Sequence, residues 1–240
     1  MKEQKISFWI KQKMTESGSR GIVVGLSGGI DSSVIAVLSK KAAGENVIGV
    51  IMPCHSNPKD TEHAKLLANK FGIKTETVDL LPVYEKMLSS IPEKESKIAK
   101  ANLKARLRMA TLYYIANAHN YLVAGTGNKT EIMIGYFTKY GDGGIDMEPI
   151  GDLYKTEVRK LAKDLEIPDE IIDKPPSAGL WEDQTDEDEM GITYDELDNI
   201  LEAIEKDKTE KIDKEKLEKV KEMIRKSEHK RHVPPVCKLS

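Results

Sequence analysis

Cysteine is nearly absent: 240 residues contain only Cys54 and Cys237. Two thiols cannot build a disulfide framework, and no Cys-x-x-Cys pair exists for zinc, iron–sulfur or dithiol redox chemistry. Long apolar runs are missing too, none approaching the ~20 residues that cross a bilayer. The N-terminus, MKEQKISFWIKQK, reads as an amphipathic helix without a signal-peptide core. Nor is there an excess of one charge: 37 basic against 40 acidic residues leave −3 at pH 7. That balance excludes a protein that grips nucleic acid by bulk positive charge, so any phosphate ligand must be held by a local device. A hydrophobic share of 39% still permits a core in a chain this long. The composition predicts a soluble cytoplasmic protein.

Short apolar runs alternate with helical periodicity over the first two thirds of the chain. GIVVGLS (21–27), NVIGVIMP (46–53), IKTETVDL (73–80) and YLVAGTG (121–127) read as strands. Helices are expected over 4–16, with Ile6, Trp9, Ile10 and Met14 on one face, and over 31–43, 58–71, 82–90 and 96–118. The pattern predicts an α/β fold, a doubly wound, mainly parallel sheet with helices on both faces. Beyond residue 135 come a glycine-rich loop, a helix over 153–165, the Pro175-Pro176 break and an acidic stretch, Glu182–Glu189, read as a solvated lid. Helices near 193–205 and 213–227 and a basic tail, SEHKRHVPPV, complete the chain. We read one domain over 1–240, with a nucleotide-binding core (1–165) and a C-terminal extension of loops and helices (166–240).

The chemistry concentrates in LSGGIDSS (26–33), where a buried strand gives way to a helix. In open α/β sheets, ligands bind at that place. Gly28 and Gly29 let the backbone turn tightly and present N–H groups, Ser27, Ser32 and Ser33 add hydroxyls, and the helix start contributes its positive end. Such a device suits pyrophosphate. Asp31 would repel it, unless Mg²⁺ bridges carboxylate and phosphate oxygens. The run is neither a Walker A loop nor Gly-x-Gly-x-x-Gly.

SGGIDSS resembles the signature of the ATP pyrophosphatase (PP-loop) superfamily. Within it, NLKARLRM (102–109), GTGNKTEIMIGYFTKYGDGGIDMEPIGDLYKTEVRKLA (125–162), PPSAGLWEDQTDEDEMGITYDELD (175–198) and SEHKR (227–231) resemble the ammonia-dependent NAD synthetases. The likeness spans nearly the whole chain; MPCHSNPKDTEHA (52–64) departs from it. It implies ATP-dependent amidation of deamido-NAD with ammonia through an adenylated nicotinate carboxylate, giving NAD, AMP and pyrophosphate. It implies Mg²⁺ as cofactor and a homodimer with deamido-NAD near the interface, for which the apolar faces of helices 4–16 and 96–118 are candidates. The length leaves no room for an amidase domain, so ammonia is expected directly or from a separate partner.

Carried over residue by residue, the resemblance implies ATP contacts from Gly25, Leu26, Ser27, Gly28, Gly29, Ile30, Asp31, Ser32, Thr126, Lys155 and Ser177. It implies metal ligation by Asp31 and Glu131, and deamido-NAD contacts from Arg106, Lys139, Asp146, His229 and Lys230. Asp31, Lys155 and Asp146 are expected to be catalytic, Lys155 by neutralising the leaving pyrophosphate and Asp146 by orienting either the ribose or the ammonia. Read by position alone, Glu131 is equally an acid in the first turn of a helix. Arg108 is expected at the surface, Asp142 as a turn former and Cys54 as a small buried residue. His55, His63 and His119 have no metal-ligand spacing.

Overall fold

A computed structural model describes residues 1–92, 96–177, 179 and 185–239. In chain order the elements are α1 (Lys2–Glu16), β1 (Gly21–Gly25), α2 (Ile30–Ala43), β2 (Val47–Ile51), α3 (Pro58–Phe71), β3 (Lys74–Thr77), α4 (Leu81–Ser90) and α5 (Lys97–His119). They continue with β4 (Tyr121–Ala124), α6 (Lys129–Ile134), α7 (Lys155–Asp164), α8 (Asp169–Ile172), α9 (Asp186–Met190), α10 (Tyr194–Glu205) and α11 (Lys214–Arg231).

The strands pair in parallel in the order β3-β2-β1-β4. Alternate side chains serve opposite faces, as the pleat requires. Ile22 and Val24 join the core under α1, α2 and α7, whereas Val23, Ile48 and Val50 join the core under α4 and α5. Ile10 is buried while Ile6, Trp9 and Met14 pack beside it, the expected face of α1. The chain winds from β1 outward to β2 and β3, then returns to place β4 on the other side of β1. That reversal puts a crevice at the carboxyl ends of β1 and β4.

Local chemistry sets the boundaries. Asn57 caps α3 by accepting from the Lys59 N–H at 3.0 Å, with Pro58 at the first helical position. The strands are shorter than the apolar runs that announce them, because Leu26, Met52–Pro53 and Gly125–Gly127 leave the sheet to build its carboxyl edge. The basic tail requires a correction: α11 continues through His229 and Lys230 to Arg231, whose guanidinium bonds the Met133 and Ile224 carbonyls at 2.8 Å each. A third apolar cluster joins α10 and α11 to Ile134 of α6, with Met133, Tyr136 and Tyr154 packed against it. The C-terminal helices therefore buttress the segment after β4.

Candidate active site

The turn after β1 is built for close approach. Gly28 has φ +73°, and a Cβ there would lie 2.2 Å from the Asp60 carbonyl oxygen. Ser32 and Ser33 hydroxyls donate to the Gly29 carbonyl at 3.0 and 2.8 Å, and Ser27 Oγ lies 3.0 Å from Ser32 Oγ. Gly29 caps α2 with no side-chain hydrogen bond, so the first-turn N–H groups face the crevice without a side-chain acceptor. Leu26 and Ile30 are buried in the core, so only their backbone can serve a ligand. Ser177 is exposed; its Oγ accepts from Gly179 N–H at 3.1 Å. Gly179 lies near Asp60, which also pairs with Lys174, so this stretch borders the β1 turn.

Across the crevice, Asn128 caps α6 by accepting from Glu131 N–H at 3.0 Å, and Glu131 Oε2 accepts in return from Asn128 N–H at 3.4 Å. The other Glu131 oxygen faces Lys155 Nζ at 3.1 Å. Glu131 is therefore the first-turn acid expected from its position, with its second oxygen turned to Lys155. Lys155 also donates to Asp31 Oδ2 at 2.6 Å, while Asn128 Nδ2 holds Asp31 Oδ1 at 3.0 Å. Lys155 is 2% exposed. Burial opposes its charge, but Asp31 and Glu131 outweigh burial and hold the ammonium above the ordinary lysine range. Burial, reinforced by Asp31 and Asp186, pushes the Glu131 carboxyl above its ordinary range against the pull of Lys155.

Two further layers hold this cluster, and sequence reasoning missed both. The Tyr194 hydroxyl donates to Glu131 Oε1 at 3.3 Å and to Asp186 Oδ2 at 3.0 Å, and its ring lies 4.8 Å under Lys155 Nζ. Asp186 also accepts from Tyr136 at 3.1 Å. The solvated-lid reading of Glu182–Glu189 is corrected here: Asp186 is buried at the start of α9, because two tyrosine hydroxyls and the nearby Lys155 compensate its charge. Residues 182–184 lie outside the described residues. Buried Asp198 on α10 accepts from Thr130 Oγ1, and from Thr156 N–H at 2.9 Å in the first turn of α7. Thr130 Oγ1 accepts from Lys155 N–H at 3.0 Å. The capping-box spacing of Asn128 and Glu131 was a usable signal; the long-range partners Asp186, Tyr194 and Asp198 had none.

Two arginines on α5 lie in different surroundings. Arg108 reaches the Met52 carbonyl at 3.3 Å and Ser56 Oγ at 3.2 Å, and burial holds its pKa below the usual range. The surface expectation for Arg108 is therefore corrected; the chain after β2 folds over it. Arg106 is exposed, bonding the Lys139 carbonyl at 3.3 Å, and Lys139 Nζ donates to the His229 carbonyl at 2.6 Å. Lys230 Nζ bonds the Gly135 and Phe137 carbonyls at 2.8 and 2.9 Å. The structure thus gathers Arg106, Lys139, His229 and Lys230. Asp146 accepts from Tyr113 at 3.0 Å and from Val123 N–H at 2.8 Å, so its two oxygens tie α5 to β4. Asp142 accepts from Thr138 N–H at 3.0 Å, the expected turn, and Cys54 is buried.

The family profile described as NAD synthase matches residues 3–234. The chain belongs to the NAD synthase family. It is 51% identical over 239 residues to the NH(3)-dependent NAD(+) synthetase of Carboxydothermus hydrogenoformans, covering 98% of this chain and 96% of that protein. It is 53% identical over 243 residues to the namesake of Methanocaldococcus jannaschii, covering 96% and 94%. Among solved structures, the NMN synthetase of Francisella tularensis superposes with a TM-score of 0.92 at 38% identity, covering 98% of this chain and 97% of that one. The four-stranded parallel arrangement with helices around it is the fold of this family.

Proposed function

We propose that the chain completes NAD synthesis, amidating deamido-NAD with ammonia at the expense of ATP, and that the crevice between β1 and β4 is where it does so. The observation that carries this reading is the convergence of Asp31, from the turn after β1, with Glu131 and Lys155, from α6 and α7, beside a helix start that no side chain caps. In the first step a nicotinate carboxylate oxygen attacks the ATP α-phosphorus and pyrophosphate leaves with the bond pair. In the second, the ammonia lone pair forms the C–N bond, the C–O bond to AMP breaks toward AMP, and nitrogen releases one proton to water.

The Ser27–Ser32 turn and the start of α2 cradle the ATP phosphates, with Gly25, Thr126 and Ser177 completing the nucleotide's surroundings. Asp31 Oδ2 and Glu131 Oε1 lie 2.6 and 3.1 Å from one cationic atom, so two hard oxygens already converge on a point. Among the described residues, no group of three or more His, Cys, Asp or Glu could hold a metal. Mg²⁺ commonly takes one or two carboxylates and fills its shell with phosphate and water, so the pair fits it. When bound, Mg²⁺ would neutralise charge on the phosphates. Lys155 Nζ would neutralise charge on the departing pyrophosphate. Arg106, Lys139, His229 and Lys230 form the deamido-NAD side, Asp146 fixing its floor.

The extension after residue 165 acts with the core as one unit, its helices supplying the buttress. We further take the protein as cytoplasmic and dimeric, through the outer faces of α1 and α5, where Phe8 is 70%, Ile98 70% and Tyr114 78% exposed. No helix of the described residues is long and apolar enough to cross a membrane.

The test supplies deamido-NAD, ATP, Mg²⁺ and ammonium and measures NAD, AMP and pyrophosphate in equal amounts. ADP as product, or no dependence on ammonium, overturns the reading. The likeness to an NMN synthetase favours a second acceptor, nicotinate mononucleotide. Competing the two acceptors in one reaction separates them.

A further inference from the structure

Glu148 has no part in the scheme above. It follows Met147, which bridges to Ala124 at the end of β4, and its carboxyl folds back on the Gly125–Gly127 turn. A Cβ at Gly125 would lie 2.6 Å from Glu148 Oε2, and one at Gly127 would lie 3.0 Å from Oε1. Glycine at both positions makes room for this carboxyl. Glu148 Oε2 is buried and, among the described residues, has no hydrogen-bond partner. Leaving such a group unpaired costs free energy, the more so when it is charged.

Glu148 lines a largely enclosed cavity of about 60 Å³ with Thr126, Gly127, Glu131, Phe137 and Asp142 among its walls. Three walls are carboxyls, one is an aromatic ring, and no lining side chain is cationic. A volume near that of two waters excludes a nucleotide ring. The charge excludes phosphate. A small cation fits this space, with carboxylate acceptors and a ring against which it can rest. Burial and the charges of Glu131 and Asp142 also hold the Glu148 carboxyl above its ordinary range, the condition an incoming cation relieves.

We propose that Glu148 receives the ammonium ion, Oε2 accepting a hydrogen bond from it, and that the ion gives one proton to water to become the ammonia whose lone pair forms the C–N bond. The inference rests on the amidation reading and adds the place where the nitrogen donor is held, against the wall formed by Thr126 and Glu131.

The experiment first confirms ammonium-dependent NAD formation by the wild type; failure there defeats the amidation reading and not this assignment. Rates are then measured against ammonium for Glu148→Gln and Glu148→Leu with ATP and deamido-NAD saturating. The KM for ammonium should rise about tenfold or more, while those for ATP and deamido-NAD stay within about twofold, as loss of one charge-assisted hydrogen bond requires. A merely structural role would move all three together. Glu148→Asp, which keeps the charge, should lie between. Independently, wild-type crystals soaked in thallium(I), a surrogate of similar size, should show anomalous density beside Oε2 that ammonium displaces and Glu148→Gln lacks. An unchanged ammonium KM in folded Glu148→Gln, or no displaceable thallium, overturns the proposal. If Glu148→Gln does not fold, the Glu148→Asp kinetics and the wild-type soak decide it.

Discussion

The turn after β1 and the segment after β4 leave the same edge of one sheet and are made of opposite chemistry. The first presents hydroxyls and N–H groups from Ser27 to Ser33 and has one acid, Asp31, at its inner border. The second presents carboxyls, Glu131, Asp142 and Glu148, around a small cavity. One side is suited to anions and the other to cations, and Lys155 lies on the line between them, bonded to an acid from each. The difference teaches that sign is sorted by backbone topology: glycines let one strand end turn its N–H groups outward, and let the other make room for an acid.

Removing the acid at the border tests this division most severely. Asp31→Asn should lower turnover by about a thousandfold or more, the scale of losing a preorganised electrostatic contact with the transition state. Circular dichroism should remain native, since Lys155 keeps Glu131. Full activity in that variant would erase the border. Removing the cation instead should cost stability as well as turnover. Lys155→Met leaves Asp31 and Glu131 facing each other without compensation, and should lose about 3–5 kcal/mol in urea unfolding without ligand. Adding Asp31→Asn to it should recover part of that loss.

The buttress gives a smaller effect. Asp198→Asn weakens one acceptor for both Thr130 and Thr156. We expect a loss of about 1–3 kcal/mol and a fall in kcat with KM little changed, because Lys155 is displaced but substrate contacts are not. Stopped-flow turnover beside thermal melting separates the two effects.

The last effect concerns pH. Burial first, then Glu131 and Asp142, push the Glu148 carboxyl to about 8, whereas an unfolded glutamate titrates near about 4.3. Between these values the native state holds a proton that the unfolded chain has released. Stability therefore falls as pH rises through that window and levels off above it. Glu148→Gln lacks this penalty. Its Tm should exceed the wild type's by roughly ten degrees at pH 9 and match it at pH 4. Equal differences at both pH values would remove Glu148 from the cation-favouring side.

Much of this was legible beforehand where the physics is local. The strand–glycine–helix joint at 21–33, the Asn57-Pro58 cap and the inner face of α1 all depend on residues a few positions apart. The acids at 31 and 131 were readable through motif resemblance, and their meeting follows from β1 lying beside β4. What stayed hidden was contact across long separations. Arg108 and Arg106 are two residues apart, and only the folding of the chain after β2 over one of them decides which is half-buried and which exposed. Asp186 looks like one acid in a solvated run until Tyr136 and Tyr194 supply its donors. Glu148 carries no sequence signal, because its character comes from an enclosed space and a missing partner.

The lysine at the head of α7 also bears on how such an enzyme is assembled. By standing between two acids that would otherwise repel, it acts as a resident counterion, so the polypeptide can mature with no metal ion in place. On the proposed magnesium reading, chelation should silence the catalyst and leave its architecture whole, and reactivation should need only the ion's return, with no refolding.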